Sequence, residues 1–414
     1  MTDAVPPKGN GPLARLEARL AWGLLAPTII AVALVVLLPL LAIFWISVKP
    51  VALADLRAPE VVLREDIRGD AETVGGDATI RYRLRNSSQE QPISNVTISD
   101  KIPEGLTITE LDSRCTLEGQ DLFCDLGDWE GGHRERLMLP ATVAQSYLDN
   151  DQRPQDSTAA VTGTASNVLT NSTFTLDNFR RVFDGDEFWG VLWVTLFYTV
   201  FGTIGALLFG LFAALLLNKS FKGQGILRGL YLFPYVSPII AVAFAWILLF
   251  DPFSGSANAL LIQMGVTDQS INFFGERPLA LIMVTVFEIW RYFPLSFLFI
   301  LARMQSIDTD MYEAADMDGA SPFQQFWALS VPQLLGILSV LFLLRFIWTF
   351  NKFDDIFLLT GGNAGTRTLT VNVYEQAFSI SNIGAGAAVA VVIFGCLLLF
   401  SAFFFKFISQ EEGL

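Results

Sequence analysis

Six stretches of roughly twenty apolar residues, nearly free of charge, constrain this chain more than any other feature. They run approximately 22–48, 190–217, 230–250, 279–302, 334–350 and 383–408. A bilayer core of about 30 Å is crossed by roughly 20 helical residues, so each stretch is long enough, or nearly so, to span it. The first follows Arg15 and Arg19 as a signal peptide would. Trp22 to Val48 is nevertheless too long for one and lacks a small-residue cleavage site, which predicts a retained helix. The fifth opens on Pro332 and is interrupted by Arg345, which predicts packing against other helices more than against lipid. The reading is an all-α polytopic membrane protein of about six transmembrane helices with a small β-sandwich inserted in it.

Basic residues in the short connections set an expected orientation. Lys8, Arg15 and Arg19 precede the first helix, Lys219, Lys222 and Arg228 follow the second, Arg303 follows the fourth, and Lys406 ends the sixth. These sides alternate consistently if both termini are cytoplasmic. Residues 1–50 then form a cytoplasmic N-terminus and first helix, 51–187 an extracytoplasmic domain, and 188–414 a five-helix core with a cytoplasmic loop at about 303–333.

The net charge of −14 belongs to one region, because the acidic residues crowd between Asp55 and Asp156. There the apolar runs give way to alternation, as in Thr79-Ile80-Arg81-Tyr82-Arg83-Leu84 and Val96-Thr97-Ile98-Ser99, with Pro103-Glu104-Gly105 as a turn. A β-sandwich core over about 60–165 is the economical interpretation. The segments Gly76 to Asn86, Asn95 to Asp100 and Ile102 to Leu106 resemble the immunoglobulin-like repeat of many bacterial surface proteins. Cys115 and Cys124 fall inside this domain, in an oxidising compartment by the topology above, and can close a short disulfide loop; the alternative is two unpaired thiols. Cys396, in the sixth helix, reads as a packing residue. With three cysteines and one histidine, His133, neither a multi-ligand metal site nor a cysteine–histidine catalytic pair has enough parts.

Between the fourth and fifth helices stands Glu313-Ala314-Ala315-Asp316-Met317-Asp318-Gly319-Ala320-Ser321-Pro322-Phe323, then Phe326 and Val331-Pro332. This spacing predicts two short helices joined at Gly319, with Ser321 as N-cap, Pro322 at the first position and Gln324 closing a capping box. The stretch resembles the cytoplasmic EAA loop of ABC importer permeases. The resemblance implies that Glu313, Ala314, Ala315 and Gly319 form the surface that docks in a cleft of an ATP-binding subunit and transmits its closure. It extends from about Phe174 to the C-terminus through Leu176-Asp177-Asn178-Phe179, Asn351-Lys352-Phe353-Asp354 and Leu358-Leu359-Thr360-Gly361-Gly362, which are similar to sugar-importer permeases of the maltose type. Where those permeases commonly continue into Gly-Pro, this chain has Asn363-Ala364, so the loop there is expected to be built differently.

No segment has the spacing of a Walker A phosphate loop. The chain is therefore expected to be non-catalytic and to carry no cofactor, with ATP and Mg bound by two partner ATPase subunits. The resemblance further implies a second permease subunit, related but different, an extracytoplasmic substrate-binding protein, a carbohydrate or polyol substrate, a bacterial inner-membrane location and no nucleic acid. Ionisable residues within apolar segments tend to line cavities. By the same resemblance Glu288, Trp290 and Arg291, with Trp348, Thr349, Asn351 and Lys352, occupy stretches that form a substrate pocket. The open alternatives are a structural Glu288–Arg291 ion pair, Lys352 and Asp355 at the water interface, and an interfacial aromatic belt. A secondary transporter would need internal repeats and coupling-ion residues, and no repeat is visible. A membrane-anchored enzyme would have to draw on the carboxylates of 55–156, which occupy scattered, strand-like, solvent-facing positions.

Overall fold

The structure is a computed structural model that describes residues 11–150, 159–185 and 187–407. Lys8 and the stretch 151–158, which holds Asp156, lie outside the described residues, as do the residues beyond 407. The chain divides into a helical unit, built from the segment ending at Ser47, from Phe179–Ser379 and from the segment resuming at Ala385, and a β unit of Val48–Asn178 with Ile380–Gly384.

Among the described residues of the helical unit, five helices are long and apolar enough to cross a membrane: α1 (Arg15–Ser47), α2 (Phe188–Leu217), α5 (Leu279–Gln305), α7 (Pro322–Phe350) and α10 (Ile383–Lys406). The third expected span is not one straight helix. It is a pair, α3 (Gln224–Val236) and α4 (Ile239–Leu249), bent by 91°. Pro238 explains the break, since it has no N–H to donate and its ring disfavours a helical Ser237, which stands extended at φ −64° and ψ 144°. The fifth span also differs from expectation, because its helix begins at Pro322, in the loop, and runs through Pro332. A wider π turn at Phe326–Ser330 ends two residues before that proline, which has no N–H to place in the helical ladder. Helix α5 continues through Pro294. Short helices α6 (Thr309–Met317), α8 (Asp354–Thr360) and α9 (Leu369–Tyr374) complete the elements that matter below.

Helices α2 and α5 approach closely because α2 presents small residues. A Cβ on Gly210 would stand 2.6 Å from the Ser296 Cβ, one on Gly202 would stand 2.9 Å from the Glu288 Cγ, and Ala206 and Ala214 are fully buried. Small side chains let helix backbones meet in a membrane, where close packing replaces the hydrophobic drive available in water.

The β unit holds strands β1 (Val61–Gly69), β2 (Asp77–Asn86), β3 (Ile93–Lys101), β4 (Leu106–Ile108), β5 (Cys115–Glu118), β6 (Asp121–Trp129), β7 (Arg134–Val143) and β8 (Ala160–Thr164). They form two four-stranded antiparallel sheets, ordered β1-β2-β7-β4 and β5-β6-β3-β8. The alternation in β2 sends Ile80, Tyr82 and Leu84 inward to meet Ile98, Leu122 and Trp129 of the other sheet in one core. Within it the Tyr82 hydroxyl donates to Asp100 Oδ2 at 2.5 Å, which gives that buried oxygen a partner. The turn read at Pro103-Glu104-Gly105 is present, with Gly105 at φ +92°, and its added Cβ would meet the Tyr147 backbone N at 2.4 Å. Cys115 and Cys124 are directly opposed across β5 and β6 and are joined by a disulfide.

Candidate functional site

Two constructions in the helical unit carry chemistry: an elbow between α5 and α7, and a buried polar cluster among α2, α5, α7 and α8. In the elbow, Asp308 caps α6 by accepting from the Asp310 N–H at 3.1 Å. The chain turns at Gly319, whose φ is +78°; an added Cβ would meet no atom, so backbone conformation selects glycine here and available space does not. Ser321 then caps the next turn, accepting from the Gln324 N–H while Gln324 Oε1 accepts from the Ser321 N–H at 2.8 Å, with Pro322 at the first position. The two arms are tied across the turn by Gln325 Nε2, which donates to Asp316 Oδ1 at 2.5 Å, and by Tyr312 with Ser330 at 2.9 Å.

On this elbow Glu313, Ala314 and Gly319 are exposed and Ala315 is half-buried. Met317 and Phe323, which belong to the same motif but were given no role in the docking surface, are 88% and 72% exposed beside them. Large apolar groups in that position belong to a contact surface more naturally than to a solvated loop.

In the cluster, Glu288 is fully buried and each of its oxygens is satisfied. Oε1 accepts from Arg345 Nη2 at 2.6 Å and from Thr349 Oγ1 at 3.0 Å, and Oε2 accepts from the Tyr198 hydroxyl at 3.1 Å. Asp355, also fully buried, lies against the Glu288 carboxylate, close enough for the two carboxyl groups to share a hydrogen bond, and no N–H or hydroxyl donor reaches either of its oxygens among the described residues. Three cations stand over the Tyr292 ring, with Lys352 Nζ 4.2 Å and the guanidinium carbons of Arg345 and Arg291 4.8 and 5.6 Å from its centre. A cavity of about 230 Å³ opens against these groups, bounded by Tyr235, Tyr292, Leu295, Arg345, Trp348 and Lys352, and lined also by Glu288 and Thr349.

Of the residues expected to form a pocket, the structure brings Glu288, Trp348, Thr349 and Lys352 to this cavity and turns three others away. Arg291 donates from Nη1 to the Pro234 carbonyl and from Nη2 to the Ser237 carbonyl, each at 3.0 Å, where the proline break has freed them. Trp290 packs against Trp246 with ring centres 5.4 Å apart, and the Asn351 amide donates to the Ile347 carbonyl at 2.9 Å, one turn back. The alternative Glu288–Arg291 ion pair is likewise absent, since the partner of Glu288 is Arg345. Tyr235, Leu295 and Arg345 were not expected at the pocket, Tyr292 was noted only as a neighbour of Glu288, and Asp355, read alternatively as a residue of the water interface, is fully buried behind the cavity. Helical spacing carried part of the missing signal: 288, 292 and 295 share one face, as do 345, 348, 349 and 352.

Residues 206–411 match the family model described as the binding-protein-dependent transport system inner membrane component. The chain is 36% identical over 225 residues to the inner membrane ABC transporter permease protein YcjO of Escherichia coli, covering 54% of this chain and 76% of that protein. The chain belongs to this permease family. It is also similar to the trehalose/maltose transport system permease protein MalF of Thermococcus litoralis, 33% identical over 232 residues, which are 56% of this chain and 78% of the relative. In fold it resembles a solved chain of a bacterial ABC transporter involved in the import of the acidic polysaccharide alginate. That superposition has a TM-score of 0.51 at 20% identity and covers 58% of this chain and 86% of the other. The protein is therefore a multi-pass inner-membrane permease, a non-catalytic subunit of an ABC importer. The family match takes in α5, the elbow and the cavity, and leaves every strand of the β unit outside it.

Proposed function

We propose that this permease moves a sugar or related polyol, that the cavity between α5 and α7 is its share of the substrate path, and that the Glu313–Gly319 elbow receives the stroke of a separate ATPase. The observation that carries the substrate reading is the lining itself. A carboxylate, two cations, a threonine hydroxyl and two tyrosines stand beside Trp348, which is 52% exposed and offers a ring face. Sugars present hydroxyls at their edges and apolar faces, and this mixture meets both. The relative named for trehalose and maltose transport supports the same class.

In this reading both termini and the elbow are cytoplasmic and the β unit is extracytoplasmic. Two ATPase subunits hold ATP and Mg, a second permease subunit closes the other side of the path, and a soluble binding protein delivers the substrate. Trp348→Ala should lower the apparent affinity of sugar uptake by about tenfold while membrane expression and ATPase copurification stay normal, because the ring stabilises substrate more than it stabilises the fold. Gly319→Val should leave cavity and expression unchanged but uncouple ATP hydrolysis from uptake, since valine resists a positive φ. Normal uptake and normal substrate-stimulated hydrolysis in Gly319→Val, or unaltered uptake of every sugar tried in Trp348→Ala, would remove the respective assignment.

A further inference from the structure

The outer face of β1, β2 and β7 is a lattice of arginines. The alternation that buries Ile80, Tyr82 and Leu84 turns Arg81, Arg83 and Arg85 outward. The register sets Arg64 opposite Arg83 and Arg83 opposite Arg136, and in the next row it sets Arg85 opposite Arg134. Directly opposed residues stand about 5 Å apart, and same-face residues along a strand about 7 Å apart. Like charges so placed destabilise a sheet. Composition does not impose them, since the chain carries a net charge of −14.

The negative charge nearby answers only part of this lattice. Asp66 engages Arg81 with both oxygens, at 2.7 and 2.6 Å, and Arg83 at 2.9 Å. Glu135 accepts from Arg114 at 2.6 Å. The guanidinium groups of Arg64, Arg85, Arg134 and Arg136 have no hydrogen-bond or ion-pair partner among the described residues. They stand around a groove of about 730 Å³, lined also by Arg83, Val62, Leu84 and Glu135.

We infer that this groove binds an extended polyanion, an acidic glycan chain whose carboxylates fall at intervals the arginine lattice can match. Guanidinium forks bind carboxylates in bidentate fashion, and four of them here are unengaged. The outward positions of β1, β2 and β7 hold no aromatic residue, so the face has nothing on which a neutral sugar ring would stack. A groove walled by standing side chains admits a chain more readily than a planar lipid surface. The other sheet turns Glu118, Asp121 and Asp125 outward, so a second copy is the competing occupant. The inference is independent of the cavity and the elbow and survives the failure of either.

The test uses the full-length protein in detergent, titrated with a short oligogalacturonate and, separately, with a neutral glucan oligomer of equal length. The wild type should bind the oligogalacturonate, with affinity falling as salt rises, and ignore the glucan. The quadruple variant Arg64→Gln, Arg85→Gln, Arg134→Gln, Arg136→Gln should lose roughly tenfold or more in affinity, four exposed charge contacts together. Arg57→Gln, outside the groove, should behave as wild type. The thermal transition of the β unit reports whether the quadruple variant folds; if it does not, the double variant Arg85→Gln, Arg134→Gln is judged by the same readout. No binding by the wild type, equal binding of glucan, or undiminished binding by a folded variant overturns the proposal. So does self-association abolished by the same substitutions without any response to oligogalacturonate, which would assign the face to a second copy. Retention on phosphatidylglycerol liposomes with no oligogalacturonate binding would assign it to lipid and overturn it too.

Discussion

The two units of this molecule place the same kinds of residue on opposite sides. In the β unit Ile80, Tyr82 and Leu84 are buried, while the intervening Arg81 and Arg83 face outward. In the helical unit the order is inverted: Leu24 is 81% exposed and Leu208 59%, while Glu288, Arg345 and Asp355 are fully or nearly fully enclosed. A sheet in water gains stability by removing apolar area from solvent. A helix in lipid gains nothing from hiding leucine, and what it must enclose is the polar group with no water to bond. Burial therefore marks different things in the two units: an apolar core in the β unit, and in the helical unit apolar packing between helices, as at Phe297 and Leu334, with enclosed polar contacts set among it.

That contrast is easiest to break at the enclosed ion pair. Glu288→Leu or Arg345→Leu alone leaves an unpaired charge and should destabilise the purified permease by about 3–5 kcal/mol. The double variant should recover much of the loss, read as thermal midpoint in detergent; no recovery would mean that the two residues do not act as a pair. The second measurement sets burial against burial. Ile80→Ala in the sheet core should cost about 2–5 kcal/mol of β-unit stability. The disulfide sharpens the comparison, since it closes a loop with a sequence separation of 9. Cys124→Ser should cost about 2–3 kcal/mol on the chain-entropy account, and reductant should lower the β-unit transition while leaving that of the helices in place. At the small end, Leu24→Ala on the outward face of α1 should change stability by less than about 0.5 kcal/mol. A loss as large as that of Ile80→Ala would show that this face is a packed core and not a lipid surface.

Legibility in the sequence followed the same division. Alternation exposed the strands because the core face of β2 is written locally, every second residue from Ala78 to Leu84. The capping box at Ser321 and Gln324 was equally local, three residues apart, and the structure closes it. What failed was non-local or averaged away. The bend at Ser237-Pro238 disappeared into a hydropathy window that sees only apolar neighbours. Arg345 looked like an interruption because its partner lies 57 residues earlier, whereas Arg291, three residues from Glu288, looked like the partner. Within a helix three residues is adjacency on the surface, but Arg291 answers two backbone carbonyls that only the folded break exposes.

That last contact fixes where this subunit can turn. A helix interrupted in hydrocarbon leaves carbonyls that nothing in lipid can satisfy, and here a single guanidinium carried by α5 takes two of them. Sliding the kink by even one residue would strand both oxygens and the cation together. The junction of α3 and α4 therefore has its position along the chain set by Pro238, and it is held to α5 by Arg291 together with the packing of Tyr231, Tyr235 and Trp246 on Phe293, Tyr292 and Trp290. Any displacement delivered at the elbow reaches α5 directly through their shared chain. It must then either carry the kinked pair along or disturb these contacts.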